Sequence, residues 1–282
     1  MNRSMINASN TMTQLQHQLD LISHNMSNVN TTGYKRQEAN FSDMLYQQFD
    51  NQLNIGKENG RNTPYGIRQG VGAKLAHTNI QTNQGALKKT ERLLDVALTK
   101  ENFFFKVLVN ENGRQAVRYT RDGSFHLASM TNNRFMLTDS QGNAILDQNN
   151  KPIVVQGPIQ NIRIEPNGNV AAVSANGDTP NQVFELGVVQ VKRPHLLQGA
   201  GNNLFGLPDL NALNLTMKDV VQEARGTQRS DLDIQQGVLE ESNVDLAAEM
   251  SELLLTQKSY QFNAKSISVA DQMMGLVNGL RS

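Results

Sequence analysis

The side chains that could bind a metal ion or transfer protons are scattered along this sequence. It contains five histidines: His17, His24, His77, His126 and His195. None of them forms an HExxH pair or another ligand pair, whereas a catalytic zinc site needs several ligands that converge on one ion. The sequence therefore predicts no metal site, and each histidine is interpreted as a surface or partly buried residue.

Other motifs of enzymes are also missing from the sequence. There is no GxSxG elbow and no P-loop. The glycine patterns at 66–72 and 199–201 do not open a βαβ unit, which makes a nucleotide site improbable. Asp139, Asp147 and Asp178 occur in turn sequence, where aspartate favours local hydrogen bonds, and they lack calcium-loop spacing. We predict no catalytic site, no cofactor and no small-molecule substrate.

Composition and charge narrow the class of protein further. The 282 residues suffice for roughly two domains. Because 26 basic residues balance 26 acidic ones, there is no electrostatic reason to expect binding to nucleic acid or to an anionic membrane. The sequence has no apolar run long enough to span a membrane, and its start, MNRSMINASNTMTQ, lacks the apolar core of a cleaved signal. The absence of cysteine suits a protein that works outside the cell without disulfides.

The elements that would position functional residues fall into three zones, of which the first predicts a helix over about residues 4–29. Its apolar residues recur every seven positions in two series that interleave at three and four, the pattern of a coiled-coil seam. The two series are Met5, Met12, Leu19 and Met26, and Ala8, Leu15, Ile22 and Val29. From periodicity alone, this stripe could pack on its own domain or on a partner helix.

The last zone predicts a long helix over residues 243–280, with Ser242 or Asn243 as its N-cap and Asp245 in the first turn. Its apolar residues form two series about 200° apart on a helix, so we expect it to be packed on two sides. The first series is Leu239, Leu246, Leu253, Tyr260, Ile267 and Met274, flanked by Met250 and Ala264. The second series is Leu255, Phe262, Val269 and Leu276.

Short alternating runs between the helical zones predict strands, and their Gly/Asn turns are typical of an all-β barrel or sandwich. Asp122-Gly123 predicts a tight turn before a strand at 124–127. Residues 47–72 are polar, glycine-rich and aperiodic, which predicts a linker or irregular arm, and residues 207–228 receive no assignment. The other predicted strands lie at 103–109, 115–120, 134–137, 153–155, 162–164, 170–173 and 183–191.

We therefore predict an α+β chain with long N- and C-terminal helices that form a coiled-coil-like layer and a central all-β barrel or sandwich domain. The predicted divisions are an N-terminal helix (1–35), a linker or irregular arm (36–84), a central β domain (85–231) and a C-terminal helix (232–282).

Four motifs resemble those of the bacterial flagellar rod and hook family. They are ISHNMSNVNTTGYKR (22–36), TERLLDVALT (90–99), YTRDGSF (119–125), which matches the hairpin of the family, and GVLEESNVDLAAEM (237–250). The family usually has a glycine before its aromatic strand, whereas this chain has Lys100-Glu-Asn-Phe103, so we expect a different turn there. The motif positions matched at the two ends are Asn25, Asn28, Val29, Asn30, Thr31, Gly33, Tyr34, Ser242, Asn243, Val244 and Asp245.

The resemblance implies a structural axial protein of the flagellar basal body, most like a distal-rod-type protein, that self-assembles into a hollow, torque-transmitting tube. Its partners would be other copies of itself or paralogous rod and hook proteins, and the type III export apparatus would export it without signal cleavage. Residues 23–36 are rich in asparagine and threonine and form helix poorly alone, so we expect partner packing to order them. The predicted subunit interface is Met5, Met12, Leu15, Leu19, Ile22, Met26, Val29, Leu246, Met250, Leu253, Tyr260, Ala264, Ile267 and Met274.

Two other function classes stay open from the sequence. A secreted cell-wall enzyme with a β domain and helical arms would need a carboxylate pair or metal cluster in the β zone, and no such spacing is present. A monomeric adhesin-like binding module would keep its function without the terminal heptads, whereas a rod protein would require them.

Overall fold

A computed structural model describes residues 2–43, 47–49, 67–70, 73–111, 113–157, 159–174 and 182–279. The chain is α+β, as predicted, with a helix near each end and a central region of many strands. It divides into two compact units. We call Met1–His24, Glu38–Thr78 and Ala247–Ser282 the helical unit, and Asn25–Gln37 with Asn79–Leu246 the β unit.

The helices are α1 (Asn2–Ser27), α2 (Met217–Val220) and α3 (Leu246–Gly279). The helix α1 ends before Val29, which lies in a turn rather than in the predicted helix. The helix α3 begins at Leu246, three residues later than predicted, and the predicted N-cap role of Asn243 is wrong. Its side-chain oxygen accepts a hydrogen bond from the Arg36 backbone N–H at 2.7 Å, and its amide donates to the carbonyls of Gln81 and Asn83. Because distant segments occupy this side chain, it does not start the helix.

Twenty-one strands are described. The first eleven are β1 (Gln37–Asp43), β2 (Gln47–Phe49), β3 (Ile67–Gln69), β4 (Ala73–Ile80), β5 (Leu87–Lys89), β6 (Val96–Leu98), β7 (Phe103–Glu111), β8 (Arg114–Thr120), β9 (His126–Met130), β10 (Arg134–Thr138) and β11 (Ala144–Ile145). The other ten are β12 (Val154–Gln156), β13 (Ile159–Ile164), β14 (Asn169–Ser174), β15 (Gln182–Glu185), β16 (Val188–Val191), β17 (Gln198–Gly201), β18 (Leu204–Gly206), β19 (Val221–Glu223), β20 (Ile234–Gln236) and β21 (Val238–Glu240).

The main sheet of the β unit has ten strands in an open arrangement. Its order is β12-β10-β11-β7-β8-β18-β17, with β16 paired to β7 and β19, and β9 paired to β10. The end strands β12 and β17 do not pair with each other, so the described strands form no closed barrel. A second sheet contains β13, β14 and β15, and the pairs β5/β21 and β6/β20 join residues before the main sheet to residues after it.

The strand β7 separates two hydrophobic clusters, because successive side chains of a strand point to opposite faces. Phe103, Phe105 and Val107 belong to the larger cluster, where the Phe105 ring meets the Phe125 ring at 5.1 Å between centroids. Phe104 belongs to the smaller cluster and lies edge-on to Phe205 at 5.7 Å. The predicted central β core is therefore real, and it has two layers.

Three local predictions change in the structure. Residues 119–125 are not a hairpin, since β8 pairs with β7 and β18 whereas β9 pairs with β10. The predicted strand at 183–191 is split into β15 and β16, because the backbone at Gly187 lies so close to the Asp147 and Leu146 carbonyls that a Cβ would be 2.6–2.7 Å from them. Leu239, assigned to the C-terminal helix series, lies in β21.

The structure describes the turn before β7 and part of the predicted arm at 47–72. Asn102 has φ +63° and supplies the left-handed conformation at the turn where the family usually has a glycine. Within the predicted arm at 47–72, β2 pairs with β3, and residues 50–66 lie outside the described residues. The domain divisions at 35/36, 84/85 and 231/232 stay predictions.

Candidate functional site

The sequence motifs at the two ends of the chain meet the motif at 119–125 inside the β unit. Within the N-terminal motif, the side chain of Asn25 is buried. Its oxygen accepts hydrogen bonds from the Tyr34 hydroxyl at 2.9 Å and from the Gln37 backbone N–H at 3.0 Å. Its amide donates to the Gln37 carbonyl at 2.8 Å. The end of α1 and the start of β1 are thereby held together by one asparagine.

At the centre of this site three charged side chains are fully buried: Lys35, Arg121 and Glu240. The Glu240 carboxylate binds the Lys35 ammonium at 2.8 Å through one oxygen and the Arg121 Nε at 2.5 Å through the other. The Gly85 backbone N–H also donates to this carboxylate, at 2.9 Å. We call these three side chains the buried triad.

Both cations also donate hydrogen bonds to backbone carbonyls. Lys35 donates to the Asn83 carbonyl at 2.7 Å, and Arg121 donates to the carbonyls of Phe103 and Leu98 at 2.5 and 2.9 Å. A buried charge is tolerated only when it is paired and hydrogen-bonded in this way. The buried triad therefore cross-links segments that are more than a hundred residues apart.

Two positive charges face one negative charge in the buried triad. The pKa of Lys35 is lowered to about 8, chiefly by burial; the charge of Arg121 contributes to the lowering, and Glu240 opposes it. The pKa of the Asp122 carboxyl, next to Arg121 in sequence, is raised, chiefly by burial. Burial therefore dominates the pKa shifts at this site.

The turn after α1 closes the site through backbone approach. The Gly33 N–H donates to the Glu240 carbonyl at 2.8 Å, and the Thr32 hydroxyl donates to the Asp122 carboxylate at 3.2 Å. Gly33 has φ +66°, and a Cβ there would lie 2.5 Å from the Asp122 backbone nitrogen. Only glycine fits this approach without strain. The Asn203 amide also donates to the Thr32 carbonyl at 2.9 Å.

The structure brings together part of the predicted motif set. Asn25, Gly33, Tyr34 and Asn243 lie in this network, whereas Asn30 and Asp245 are exposed. The Asn28 carboxamide accepts a local hydrogen bond from Thr31 at 3.1 Å. Ser242 accepts one from the Val244 backbone N–H at 3.3 Å, and Val244 is buried.

The buried triad was not predicted from the sequence. Lys35, Arg121 and Glu240 each lie in one of the motifs, but none is among the predicted site residues. The same motifs also hold other charged residues, Arg36, Asp122 and Glu241 among them, so no local pattern singles out these three.

The predicted interface residues differ widely in exposure. Ile22 is only 3 % exposed, whereas Leu246 and Met250 are 40 % and 48 % exposed. Within the helical unit, the Gln18 amide donates to the Glu252 carboxylate at 3.0 Å. The other predicted interface residues are half-buried: Met5, Met12, Leu15, Leu19, Met26, Val29, Leu253, Tyr260, Ala264, Ile267 and Met274.

The second apolar series of α3 is the most exposed. Leu255, Phe262, Val269 and Leu276 are 69, 69, 54 and 70 % exposed. They recur every seven residues, so they form one stripe along the helix. We call this the α3 stripe.

Neither a metal centre nor a membrane-spanning helix is present in the described part of the chain. No group of three or more His, Cys, Asp or Glu side chains there could hold a metal ion. None of its helices is long and apolar enough to cross a membrane.

Comparisons with known proteins match the three parts of the chain that form the buried triad. The model for flagella basal body rod proteins matches residues 5–35, and the flagellar hook protein FlgE/F/G D1 domain matches 101–172. The flagellar basal body rod FlgEFG protein C-terminal model matches 235–280. Lys35, Arg121 and Glu240 therefore each fall in a different one of these regions.

The similar proteins are flagellar components that match along nearly the whole chain. The flagellar hook-basal body complex protein FlhP of Bacillus subtilis strain 168 is 41 % identical over 99 % of both chains. The flagellar basal-body rod protein FlgG of Borreliella burgdorferi is 36 % identical over 100 % of this chain and 99 % of its own. FlgG of Buchnera aphidicola subspecies Acyrthosiphon pisum is 31 % identical over 92 % of each. The chain belongs to the flagellar basal-body rod and hook family and is a structural axial component of the flagellar basal body.

Proposed function

We propose that this protein polymerises through its terminal helices into a hollow helical tube, in the distal part of the flagellar rod, and that the tube transmits torque. The comparisons support the rod assignment because relatives that match the full chain carry rod names. The finer position along the axis is an inference from the length of the chain and from its predicted arm at 47–72.

The observation that carries the proposal is the α3 stripe. The helix α3 has 34 residues, which corresponds to about 51 Å at 1.5 Å per residue. Burying one large apolar side chain stabilises an association by about 1.5–3 kcal/mol, so four such residues in one stripe favour a contact with another helix. Seven-residue spacing is the spacing that a partner helix requires.

The predicted interface residues on α1 and on the first series of α3 complete this proposal. Half-buried positions such as Leu19 and Tyr260 keep apolar surface that a neighbouring subunit could cover. The partners would be further copies of this chain or paralogous rod and hook proteins. Subunits that join head to tail without closing a ring form a helical filament, which suits an axial tube.

Export and chemistry follow from the same proposal. We infer that the type III export apparatus carries the chain out with its N-terminus uncleaved, to the part of the basal body that lies in the cell envelope. We also infer that the protein is not an enzyme and needs no cofactor, small-molecule substrate, nucleic acid or membrane insertion. Membership of a structural family supports this inference.

Charge placed in the α3 stripe tests the proposal. The double variant Leu255→Lys/Phe262→Lys should fail to restore swimming to a strain that lacks the gene, because burying unpaired ammonium groups in a packed interface is unfavourable. Electron microscopy of basal bodies from the deletion strain that expresses this variant should show rods that end where this protein would be added.

The matched control is Gln261→Lys, which adds a charge to an exposed polar position of the same helix that lies outside the α3 stripe. It should leave swimming and the rods intact, and both proteins should show the same urea unfolding of the β unit. Normal rods in the double variant would contradict the proposed assembly surface.

A further inference from the structure

A cavity of about 660 Å³ lies in the β unit, away from the buried triad. Its apolar wall contains Val117, Tyr119, Val189 and Val221, which belong to β8, β16 and β19. These side chains share the sheet face that bears the smaller hydrophobic cluster. An apolar cavity of this size with a few polar groups at its border is typical of a binding site.

Positive charge surrounds this cavity. Four cationic side chains line it, Lys106, Lys192, Lys218 and Arg225, against one carboxylate, Glu223. Glu223 is already engaged, since its two oxygens lie 3.3 Å from Lys106 Nζ and 2.5 Å from an Arg225 nitrogen.

Lys106 is fixed inside the protein. Its ammonium also donates to the Asn150 side-chain oxygen at 2.7 Å and to the Gln148 carbonyl at 3.1 Å. Burial lowers its pKa, and Glu223 opposes that shift. Lys106 and Arg225 therefore hold the carboxylate of Glu223, so Glu223 does not pair with Lys192 or Lys218.

Lys192 and Lys218 are exposed, and within the described chain neither ammonium group has a hydrogen-bond or salt-bridge partner. The carboxylate of Asp219, adjacent to Lys218 in sequence, accepts hydrogen bonds from the Thr216 hydroxyl at 2.6 Å and its backbone N–H at 2.9 Å. Both bonds reach Oδ2 and lower the pKa of Asp219, and the nearby charges of Arg193 and Lys192 lower it further. Lys218 and, beside Asp219, Lys192 are the exposed cations that an external carboxylate would meet.

The strand β19 offers backbone groups next to the same cavity. Among the described strands it pairs only with β16. On that side Val220 accepts from the Lys192 N–H at 2.8 Å, and the Ala224 N–H donates to Val188 at 3.1 Å. Since the direction of hydrogen bonding alternates along a strand, the backbone groups of Glu223 face the other, free edge. The Val221 N–H on this edge already donates to the Met217 carbonyl, so the backbone groups of Glu223 are the ones that an added strand would use.

We propose that the cavity, Lys192, Lys218 and the free edge of β19 together bind an extended peptide segment of a partner protein. In that segment an apolar and an acidic residue stand two positions apart, because alternate residues of a strand point to the same side. The apolar side chain fills the cavity and the carboxylate binds the two lysines. This surface involves neither α1 nor α3, so it is separate from the polymerisation surface proposed above.

Fluorescence anisotropy with the full-length protein and a labelled peptide, Thr-Thr-Leu-Thr-Glu-Thr-Thr with blocked ends, tests the proposal. We expect saturable binding, at least tenfold weaker for the same peptide with Lys in place of Glu. The double variant Lys192→Glu/Lys218→Glu should also bind at least tenfold more weakly. The matched control Lys89→Glu/Lys151→Glu, at exposed lysines that do not line the cavity, should bind like the unmodified protein.

A second measurement separates strand addition from simple capture of an anion. N-methylation of the backbone amide of the central Thr, between Leu and Glu, should weaken binding at least tenfold. The bound peptide should also slow hydrogen exchange of the Glu223 backbone amide. The proposal is wrong if no saturable binding occurs or if both double variants bind equally. It is also wrong if the N-methylated peptide binds as well as the parent and octanoate displaces both, because the cavity would then take a small amphipathic anion. The variant Leu255→Lys/Phe262→Lys should keep full peptide binding, so failure of the polymerisation proposal would be distinguishable.

Discussion

At the scale of single residues, the Glu240 carboxylate connects the parts of the chain that the sequence motifs mark. It pairs with Lys35 and Arg121 and also accepts the Gly85 N–H. Removing one partner from a buried ion pair typically costs about 3–5 kcal/mol, because a desolvated charge is left alone. The buried triad therefore makes the order of the segment after α1 depend on β21, and the reverse.

Lys35 should make the stability of the β unit depend on pH. The pKa of Lys35 is about 8 in the folded protein, against 10.5 for an unperturbed lysine such as that of the unfolded chain. Above pH 8 the folded state therefore loses a proton that the unfolded state keeps. The free energy of unfolding should therefore rise with pH, by at most about 1.4 kcal/mol per pH unit. The rise should end near pH 10, where Tyr119, with a pKa raised to about 12, contributes the opposite slope. Urea unfolding followed by circular dichroism between pH 7 and 10 measures this slope.

The comparison needs two lysine variants. Lys35→Met should reduce this slope between pH 8 and 10, and the remainder comes from Lys106, whose pKa burial also lowers. Lys88→Met, at a side chain that is 68 % exposed, should retain it. Parallel curves for the unmodified protein and Lys35→Met would mean that Lys35 does not carry the effect.

At the scale of elements, the turn that follows α1 has little steric freedom. The helix ends at Ser27, and the chain turns until Gly33 contacts the backbone of Asp122. This turn explains why residues 23–36 are rich in asparagine and threonine, because these residue types end a helix and make turn hydrogen bonds. The same turn carries Asn28 and Thr31, which bond to each other.

Gly33→Ala should destabilise the β unit more than Gly113→Ala does. Both positions have positive φ, +66° and +79°, so both variants carry the left-handed penalty of roughly 1–2 kcal/mol. Only at Gly33 would the new Cβ meet backbone, 2.5 Å from the Asp122 nitrogen, whereas Gly113 has open space. The difference between their urea midpoints measures the close approach itself. Equal midpoints would show that the turn can move away from Asp122 without loss.

At the scale of the whole molecule, the two units are stabilised in different ways. The β unit has two hydrophobic clusters and a buried triad within one chain. In the helical unit, α3 leaves large apolar side chains exposed along much of its length. Long helices with little intrachain packing are marginal in water, so their order depends on partners.

Helix content should therefore rise with association. In dilute solution, circular dichroism of the full-length protein should show less helix than α1 and α3 would give with 26 and 34 residues folded. Raising the protein concentration should increase helicity and hydrogen-exchange protection of both helices together, as expected for coupled ordering and binding. The variant Leu255→Lys/Phe262→Lys should gain neither. Full helicity and protection at the lowest concentration would show that the helices are ordered within their own chain.

The sequence by itself determined the features that depend on neighbouring residues. Seven-residue apolar spacing predicts α1 and most of α3, and alternating runs between Gly/Asn turns predict β7, β8, β10, β13 and β14. These signals are local, because a helix or strand repeats its own period. The end motifs also sufficed to identify the family, since they are specific combinations of residue types.

Only the tertiary structure decided which distant residues meet. Lys35 and Glu240 are 205 positions apart, so no local pattern predicts their 2.8 Å contact. Asn243 looks like an N-cap by its type, yet its side chain binds Arg36, Gln81 and Asn83. Leu239 fits a helical series by spacing, yet β21 pairs with β5 and takes it into a strand. In each case the hydrogen bonds and desolvation of long-range partners outweigh local propensity, and those partners are known only once the chain is folded.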